Sequence, residues 1–186
     1  STPKPSSAAS DVYKRQCIPK RCKASEDEAY IDIIRKVKRC DEKVTLLFTG
    51  PLTDLAKAIN YDNSILKNIE KLVWMGGTFL DKGNVEEPEH DGTAEWNAFW
   101  DPEAVKVVLD SDMIVDIVAL ESTNQVPLTM EVRQMWADKR QYLGVDFLGT
   151  SYAAVPPLTH FVTNSTYFLW DVLTTAYVGC LLYTSP

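Results

Sequence analysis

Three short apolar runs, separated by longer amphipathic segments, constrain the fold of this chain more than any other feature. They cover Val44–Phe48, residues 72–75 and residues 113–120. A strand that is apolar along its whole length is typical of burial on both faces, as in a parallel sheet covered by helices. We therefore expect an α/β fold with a mostly parallel sheet flanked by helices.

The segments between and after these runs have helical patterns. Within residues 25–39, apolar side chains recur at helical spacing, and Ser25 is placed to open a capping box. Further helices are expected at residues 52–59, 102–109, 129–143, 158–168 and 171–178, with a loop at residues 144–157. This alternation of strands and helices is typical of parallel α/β proteins.

Charge and composition argue against several classes of partner. The net charge is −7, and the short basic stretch at residues 35–39 is most simply the solvated face of a helix. No apolar run approaches the roughly 20 residues that span a bilayer. We therefore expect no nucleic-acid partner and no membrane partner. The four cysteines are unevenly spaced, which predicts free thiols in a reducing compartment, and we expect a cytoplasmic protein.

The segment Ala94-Glu95-Trp96-Asn97 combines a carboxylate and a carboxamide two residues apart. If the segment is extended, these two side chains share one face and can address adjacent hydroxyls of one sugar. Asp101 is then suited to cap a following helix whose first residue is Pro102. The alternative is a polar loop that merely precedes a capped helix.

Two further motifs follow predicted strands. Thr49-Gly50-Pro51 comes directly after the run Val44–Phe48 and predicts a tight turn from strand to helix. The run at residues 72–75 ends in Gly76-Gly77, with Gly83-Asn84 a few residues later. Ligands of parallel sheets collect beyond the carboxyl ends of strands, and glycines there allow the backbone to approach a ligand closely.

In this order and at these spacings, the motifs resemble the inosine-uridine preferring nucleoside hydrolase family. The resemblance runs from about residue 24 to residue 178. Besides the motifs already quoted, it includes DPEA at residues 101–104, ST-N-x-VPLT at residues 122–129 and LWDVLTTA at residues 169–176. The resemblance implies hydrolysis of the N-glycosidic bond of ribonucleosides.

The resemblance also implies a calcium ion at the carboxyl edge of the sheet, where it holds ribose hydroxyls and the attacking water. Thr49 matches the family residue whose main-chain carbonyl binds the ion, and Asp171 matches a carboxylate ligand. Both donors are the hard oxygens that Ca²⁺ prefers. Three polar residues match those that bind the ribose hydroxyls in the family, namely Asn84, Glu95 and Asn97. Met75 matches an apolar residue that packs against the sugar.

Catalysis is expected to involve Glu95, Asn97 and Trp170. A carboxylate beside the sugar suits a transition state that resembles an oxocarbenium ion. Trp170 stands where many family members carry a histidine and where one purine-preferring branch carries tryptophan. Its ring can stack on a purine, which predicts a preference for purine nucleosides and a role in purine salvage. The alternative role for Trp170 is that of a core aromatic residue.

The chain departs from the family pattern at its beginning. Family members carry an aspartate-rich DxDxxxDD loop that supplies the general base and further metal ligands, and the 186 residues contain no such motif. We therefore expect the chain as given to be inactive. Residues 24–179 are interpreted as a partial hydrolase domain of a parent that forms a homo-oligomer. Residues 1–23 and 180–186, which look like translated vector sequence, are expected to be non-native. The alternative function is that of a non-catalytic nucleoside- or sugar-binding remnant.

Overall fold

A computed structural model describes residues 25–154 and 167–184 of the chain. The described residues fall into two compact units: residues 25–126 together with those from 169 onward, and residues 127–154 together with 167–168. The expected non-native segment at residues 1–23 lies outside the described residues. The same holds for the helix expected at 158–168, apart from its last two residues, which are not helical.

The first unit contains a parallel sheet in the order β1-β2-β3. Its strands are β1 (Val44–Phe48), β2 (Ile69–Met75) and β3 (Val115–Val118). Phe48 pairs with Trp74, and Met75 pairs with Val118. The three strands therefore end at the same edge, and the segments that follow them meet there. The expectation of an α/β fold with a parallel sheet is confirmed.

Helices cover both faces of this sheet. In chain order they are α1 (Ala29–Arg39), α2 (Thr53–Tyr61), a 3₁₀ helix (Asn63–Asn68), α3 (Trp96–Trp100), α4 (Pro102–Leu109), α5 (Leu120–Thr123) and, after the second unit, α8 (Trp170–Thr184). The main core packs α1, α2 and α4 against side chains such as Leu72 and Trp74 of β2. The intervening Val73 is also fully buried, and α8 contacts β2.

Strand β1 is less buried than its apolar sequence predicts. Its side chains alternate between half-buried and exposed, and Leu47 is 38% exposed. The prediction of burial on both faces is therefore wrong for this strand. The physical reason is its position, because β1 is at the edge of the described sheet and only β2 lies beside it.

The start of α1 also differs from the prediction. The helix begins at Ala29, its N-cap is Glu28, and no side chain accepts a hydrogen bond at the cap. Ser25 Oγ instead accepts from the main-chain N–H of Asp27, before the helix starts. The predicted capping box is therefore wrong, since Ser25 closes a short local turn.

The second unit contains two helices where the sequence predicts one helix and a loop. These are α6 (Met130–Asp138), capped by the Thr129 hydroxyl, and α7 (Leu143–Ala154). The loop expected at residues 144–157 is wrong as far as residue 154. Gly144 and Gly149 favour a loop locally, but tertiary packing overrides them, since the Trp136 and Tyr152 rings lie 5.5 Å apart.

Helix α8 continues to Thr184, past the expected end at residue 178. Gly179 therefore does not end the helix. Within residues 25–154 and 167–184, no helix combines the length and the apolar character that crossing a membrane requires.

Candidate functional site

Glu95 is a buried carboxylate at the carboxyl edge of the sheet. It is only 2% exposed and forms the N-cap of α3. Its Oε2 accepts hydrogen bonds from the main-chain N–H of Ala98 at 3.1 Å and of Gly77 at 2.8 Å. The condition of an extended segment through Glu95 and Asn97 is not met, because the chain turns into a helix immediately after Glu95. Capping by the Glu95 carboxylate gives the physical reason for that turn.

Burial raises the pKa of the Glu95 carboxyl above its ordinary value. The main-chain N–H groups of Asn97, Gly77 and Ala98 oppose this rise, and the negative charge of Asp171 adds to it. Asp171 is thus near enough to act electrostatically on Glu95. The structure brings together an expected ribose-binding carboxylate and an expected metal-binding carboxylate that are 76 positions apart in the chain (171 minus 95).

Asn97 lies in α3 and reaches back to the last residue of β2. Its Nδ2 donates to the Met75 carbonyl oxygen at 2.9 Å and lies 3.3 Å from the Met75 sulfur. Met75 itself is buried. These contacts orient the carboxamide, so that its nitrogen is held by the protein while its oxygen is not used in either contact.

Asn84 is connected to the same helix. Its side-chain Oδ1 accepts a hydrogen bond from the main-chain N–H of Trp96 at 3.0 Å. The main-chain N–H of Asn84 donates to the Ala94 carbonyl. The preceding Gly83 makes this approach possible, because a Cβ there would lie 1.9 Å from the Ala94 oxygen. The predicted grouping of Met75, Asn84, Glu95 and Asn97 is therefore present as one hydrogen-bonded cluster around the start of α3.

Thr49 follows β1 directly and is exposed to solvent. The turn that contains it is tied to the neighbouring strand, because the Trp74 indole N–H donates to the Gly50 carbonyl at 3.0 Å. The start of α2 is tied to α4 by a 2.5 Å hydrogen bond from the Thr53 hydroxyl to Asp101. Asp101 also caps α4 as predicted, since it accepts from Ala104 N–H. Thr49 thus lies at the same sheet edge as the cluster.

Trp170 and Asp171 form the first turn of α8. The Trp170 indole N–H donates to Asn124 Oδ1 at 3.2 Å, just after α5. The ring is half-buried, whereas the adjacent Leu169 is buried in the protein. Asp171 as a whole is exposed, and partial desolvation raises the pKa of its carboxyl. Leu169 is therefore the buried residue of this pair, whereas Trp170 remains partly accessible to solvent.

The donors present suit calcium in kind but not in number. The Thr49 carbonyl and the Asp171 carboxylate provide two hard oxygen atoms, whereas Ca²⁺ takes about six to eight oxygen ligands. Among the residues that the structure describes, no three acidic, histidine or cysteine side chains come together as a metal site. These residues alone therefore do not complete a calcium site.

Gly77, one of the two glycines that the sequence places after the second strand, has φ 74° and supplies an N–H to Glu95. A further residue of this region, Glu121, was not predicted from the sequence. Glu121, in the first turn of α5, binds the segment that follows Gly77. An acidic residue directly after an apolar strand was a usable signal, because β3 ends at the same edge as β2.

The structure is thus that of an α/β protein in which a buried carboxylate, oriented carboxamides and the nearby Asp171 form a candidate ligand site at the carboxyl edge of a parallel sheet. The family model described as inosine-uridine preferring nucleoside hydrolase matches residues 3–181. The chain therefore belongs to the inosine-uridine preferring nucleoside hydrolase family, as the motifs predict.

Individual relatives agree with this assignment. The chain is 55% identical to the inosine-uridine preferring nucleoside hydrolase of Bacillus anthracis, with a TM-score of 0.74, over 84% of this chain and 49% of that one. It is 28% identical to a purine-preferring ribonucleoside hydrolase of Gardnerella vaginalis, with a TM-score of 0.68, over 85% of this chain and 49% of that one. It is 38% identical to uridine nucleosidase 1 of Arabidopsis thaliana over 60% of this chain.

The match covers only part of these proteins. The chain spans about half the length of the two solved hydrolases and 32% of the Arabidopsis protein.

Proposed function

We propose that this chain is the ribose-binding part of a calcium-dependent ribonucleoside hydrolase that cleaves the N-glycosidic bond and releases ribose and the free base. The observation that carries the proposal is the geometry of Glu95. A carboxylate is buried, tied down by the N–H groups of Gly77 and Ala98, and placed beside an oriented carboxamide. Keeping such a charge desolvated is costly, which is typical of functional sites.

The cluster has the chemistry that a ribose requires. A carboxylate accepts hydrogen bonds, and the two carboxamides of Asn84 and Asn97 offer both donors and acceptors. Because Glu95 Oε2 is already fixed by two main-chain amides, the carboxylate does not have to reorganise when a sugar hydroxyl binds. Its fixed negative charge also stabilises the positive charge that develops on the sugar as the base leaves.

Trp170 supports the assignment of a purine preference. Its ring can stack on an extended base, and its indole N–H is held by Asn124. Tryptophan is no general acid, so protonation of the departing base by solvent fits a purine better than a pyrimidine. The relatives described above carry both preferences in their names, so this part of the proposal depends on Trp170 alone.

Calcium enters the proposal through Thr49 and Asp171, which would supply two of the required oxygens. A bound Ca²⁺ would lower the pKa of a coordinated water and orient it. The chain has no aspartate-rich DxDxxxDD motif, so the remaining ligands and the general base have to come from sequence outside these 186 residues. We accordingly propose that the chain by itself does not turn over nucleosides, that residues 24–179 are its hydrolase part, and that residues 1–23 and 180–186 are non-native.

We also propose a cytoplasmic location and a homo-oligomeric parent, with no nucleic-acid or membrane partner. The location is supported by Cys40, an exposed cysteine that forms no disulfide within the described residues.

The test compares the purified chain with an extended protein, in which the corresponding N-terminal segment of the Bacillus anthracis relative precedes residue 25. Release of base from inosine is measured with calcium and with a chelator. We expect no turnover by the chain and calcium-dependent turnover by the extended protein. Calcium-dependent turnover by the unextended chain would contradict the proposed inactivity. Tight nucleoside binding by an extended protein without turnover would favour the alternative of a non-catalytic binding remnant.

A further inference from the structure

Glu121 gathers three donors onto one oxygen. Its Oε1 accepts from the Thr78 hydroxyl at 2.6 Å, from the Phe79 N–H at 3.0 Å and from the Leu80 N–H at 3.1 Å. The segment 78–80 that it binds has no regular secondary structure, and Phe79 and Leu80 are largely exposed. The hydrogen bonds to Glu121 therefore fix a stretch of backbone that packing does not.

The other oxygen of Glu121 is buried and has no hydrogen-bond partner within the described residues. A buried acceptor without a partner is costly, and such a group requires an explanation. The hydrogen bond from Thr78 lowers the pKa of Glu121, which keeps the carboxylate charged. One carboxylate oxygen of Glu121 accepts three hydrogen bonds while the other is buried and accepts none. Local stability alone therefore does not account for the position of this carboxylate.

The segment held by Glu121 begins directly after Gly77. The Gly77 carbonyl accepts from Leu120 N–H at 3.1 Å, and its N–H donates to Glu95 Oε2 at 2.8 Å. Gly77 also has φ 74°, a conformation that glycine adopts readily and that most other residues disfavour. The α5 residues Leu120 and Glu121 thus hold the peptide unit that follows the Gly77 Cα and the next two peptide units, whereas Glu95 holds the peptide unit that precedes it.

We propose that Glu121 is a positioning residue for the sugar site: it fixes segment 78–80, so that Gly77 keeps its N–H on Glu95 and the carboxylate stays oriented toward a ribose hydroxyl. This inference rests on the proposed function for the identity of the ligand. Glu121 acts through Gly77 and has no contact with the substrate.

The test measures hydrogen exchange of individual main-chain amides by NMR in the 186-residue chain, without substrate. Glu121→Ala removes all three hydrogen bonds, whereas Glu121→Gln retains an accepting oxygen. Asp62→Ala is the matched control, because Asp62 also accepts from a main-chain N–H and a hydroxyl, those of Ser64, at 3.1 and 2.6 Å. Asp62 precedes β2 and therefore lies at the opposite edge of the sheet. The Leu72 amide in β2 is the internal reference for global unfolding.

In Glu121→Ala, the Gly77 amide should exchange about tenfold faster or more, relative to the Leu72 amide. The reason is that its hydrogen bond to the charged carboxylate of Glu95 is lost or weakened. Glu121→Gln should restore most of the protection, and Asp62→Ala should leave the ratio unchanged. The inference is overturned if the Gly77-to-Leu72 ratio does not change in Glu121→Ala, or if Asp62→Ala changes it equally.

A second measurement separates this inference from the proposed function. In the extended protein, Glu121→Ala should raise KM for inosine or lower kcat severalfold, and Glu121→Gln should restore activity. If Gly77 responds in the exchange experiment while the extended protein neither binds nor hydrolyses nucleosides, the proposed function has failed. If the extended protein is active and Glu121→Ala leaves both kcat and KM unchanged, the positioning role is overturned.

Discussion

The main-chain N–H of Gly77 donates a 2.8 Å hydrogen bond to Glu95 Oε2, joining the end of β2 to the start of α3. The same carboxylate oxygen caps α3 through Ala98. One side chain therefore builds the local fold and carries the charge on which the proposed chemistry depends. Because the two roles make different demands on charge, substitutions at Glu95 can separate them.

Glu95→Gln should leave the free energy of unfolding unchanged at neutral pH, or raise it by up to about 1 kcal/mol. The amide oxygen keeps the hydrogen bonds from Gly77 and Ala98 while the desolvated charge is removed. Glu95→Ala should lower it by about 1 kcal/mol, because the cap is lost. Urea unfolding of the chain measures both changes. Asp101→Ala, which removes the cap of α4, is the control and should resemble Glu95→Ala. A loss of more than about 2 kcal/mol in Glu95→Gln would show that the charge itself stabilises the fold.

The stability contributed by Glu95 should depend on pH in a defined direction. Burial raises its pKa in the folded chain above the ordinary value of 4.5. Between the ordinary and the raised pKa, the folded state holds a proton that the unfolded state has lost, so stability falls as pH rises through this window. Burial also raises the pKa of the Asp171 carboxyl, so Asp171 contributes to the pH dependence of stability in the same direction. The difference between the native chain and Glu95→Gln isolates the Glu95 contribution. A difference that does not vary with pH would mean that this pKa is not raised.

Gly83→Ala should destabilise the chain by about 1–3 kcal/mol, because the new Cβ would lie 1.9 Å from the Ala94 carbonyl oxygen and the backbone would have to move. Gly50→Ala is the matched control, since nothing lies within 4 Å of a Cβ there. Thermal or urea unfolding compares the two variants. Equal stability of both would show that the Gly83–Ala94 approach is not needed by the fold.

The fold was largely predictable from sequence because its strands are dense apolar runs. The prediction for β1 matches the structure residue for residue, and α4 begins at Pro102 after Asp101 as its capping residues indicate. Helix α7 was missed because Gly144 and Gly149 disfavour a helix locally, whereas packing between α6 and α7 decides the outcome. Local sequence does not contain that packing.

The site was predictable to the extent that its residues lie in local motifs. The motifs identify Glu95, Asn97 and Asn84, and the structure joins them by hydrogen bonds to residues near in sequence or at the end of β2. The position of Glu121 directly after an apolar run is visible in the sequence, but its partners are not, because they depend on the register that places the end of β3 beside the end of β2. The roles of Glu95, Asn97 and Asn84 in binding remain predictions, as do those of Thr49, Trp170 and Asp171.

Trp170→Ala in the extended protein should lower kcat for inosine or guanosine by about tenfold or more and affect uridine less, because stacking assists the departure of an extended base. Asn124→Ala removes the partner of the indole N–H and should produce a smaller change in the same direction. Steady-state kinetics on both substrates provide the measurement. Equal losses for purine and pyrimidine nucleosides would show that Trp170 only supports α8 and Asp171.

The central claim, that Glu95 holds a ribose hydroxyl, is tested most directly by combining one variant with altered substrates. Glu95→Gln and the unsubstituted extended protein are compared by kcat/KM on inosine and on analogues that lack the 2′-, 3′- or 5′-hydroxyl. On inosine, we predict a loss of about a hundredfold or more, since a charged hydrogen bond and transition-state stabilisation are both affected. On the analogue that lacks the hydroxyl bound by Glu95, the loss should be at least about tenfold smaller. An equal loss on inosine and on all three analogues would contradict the account.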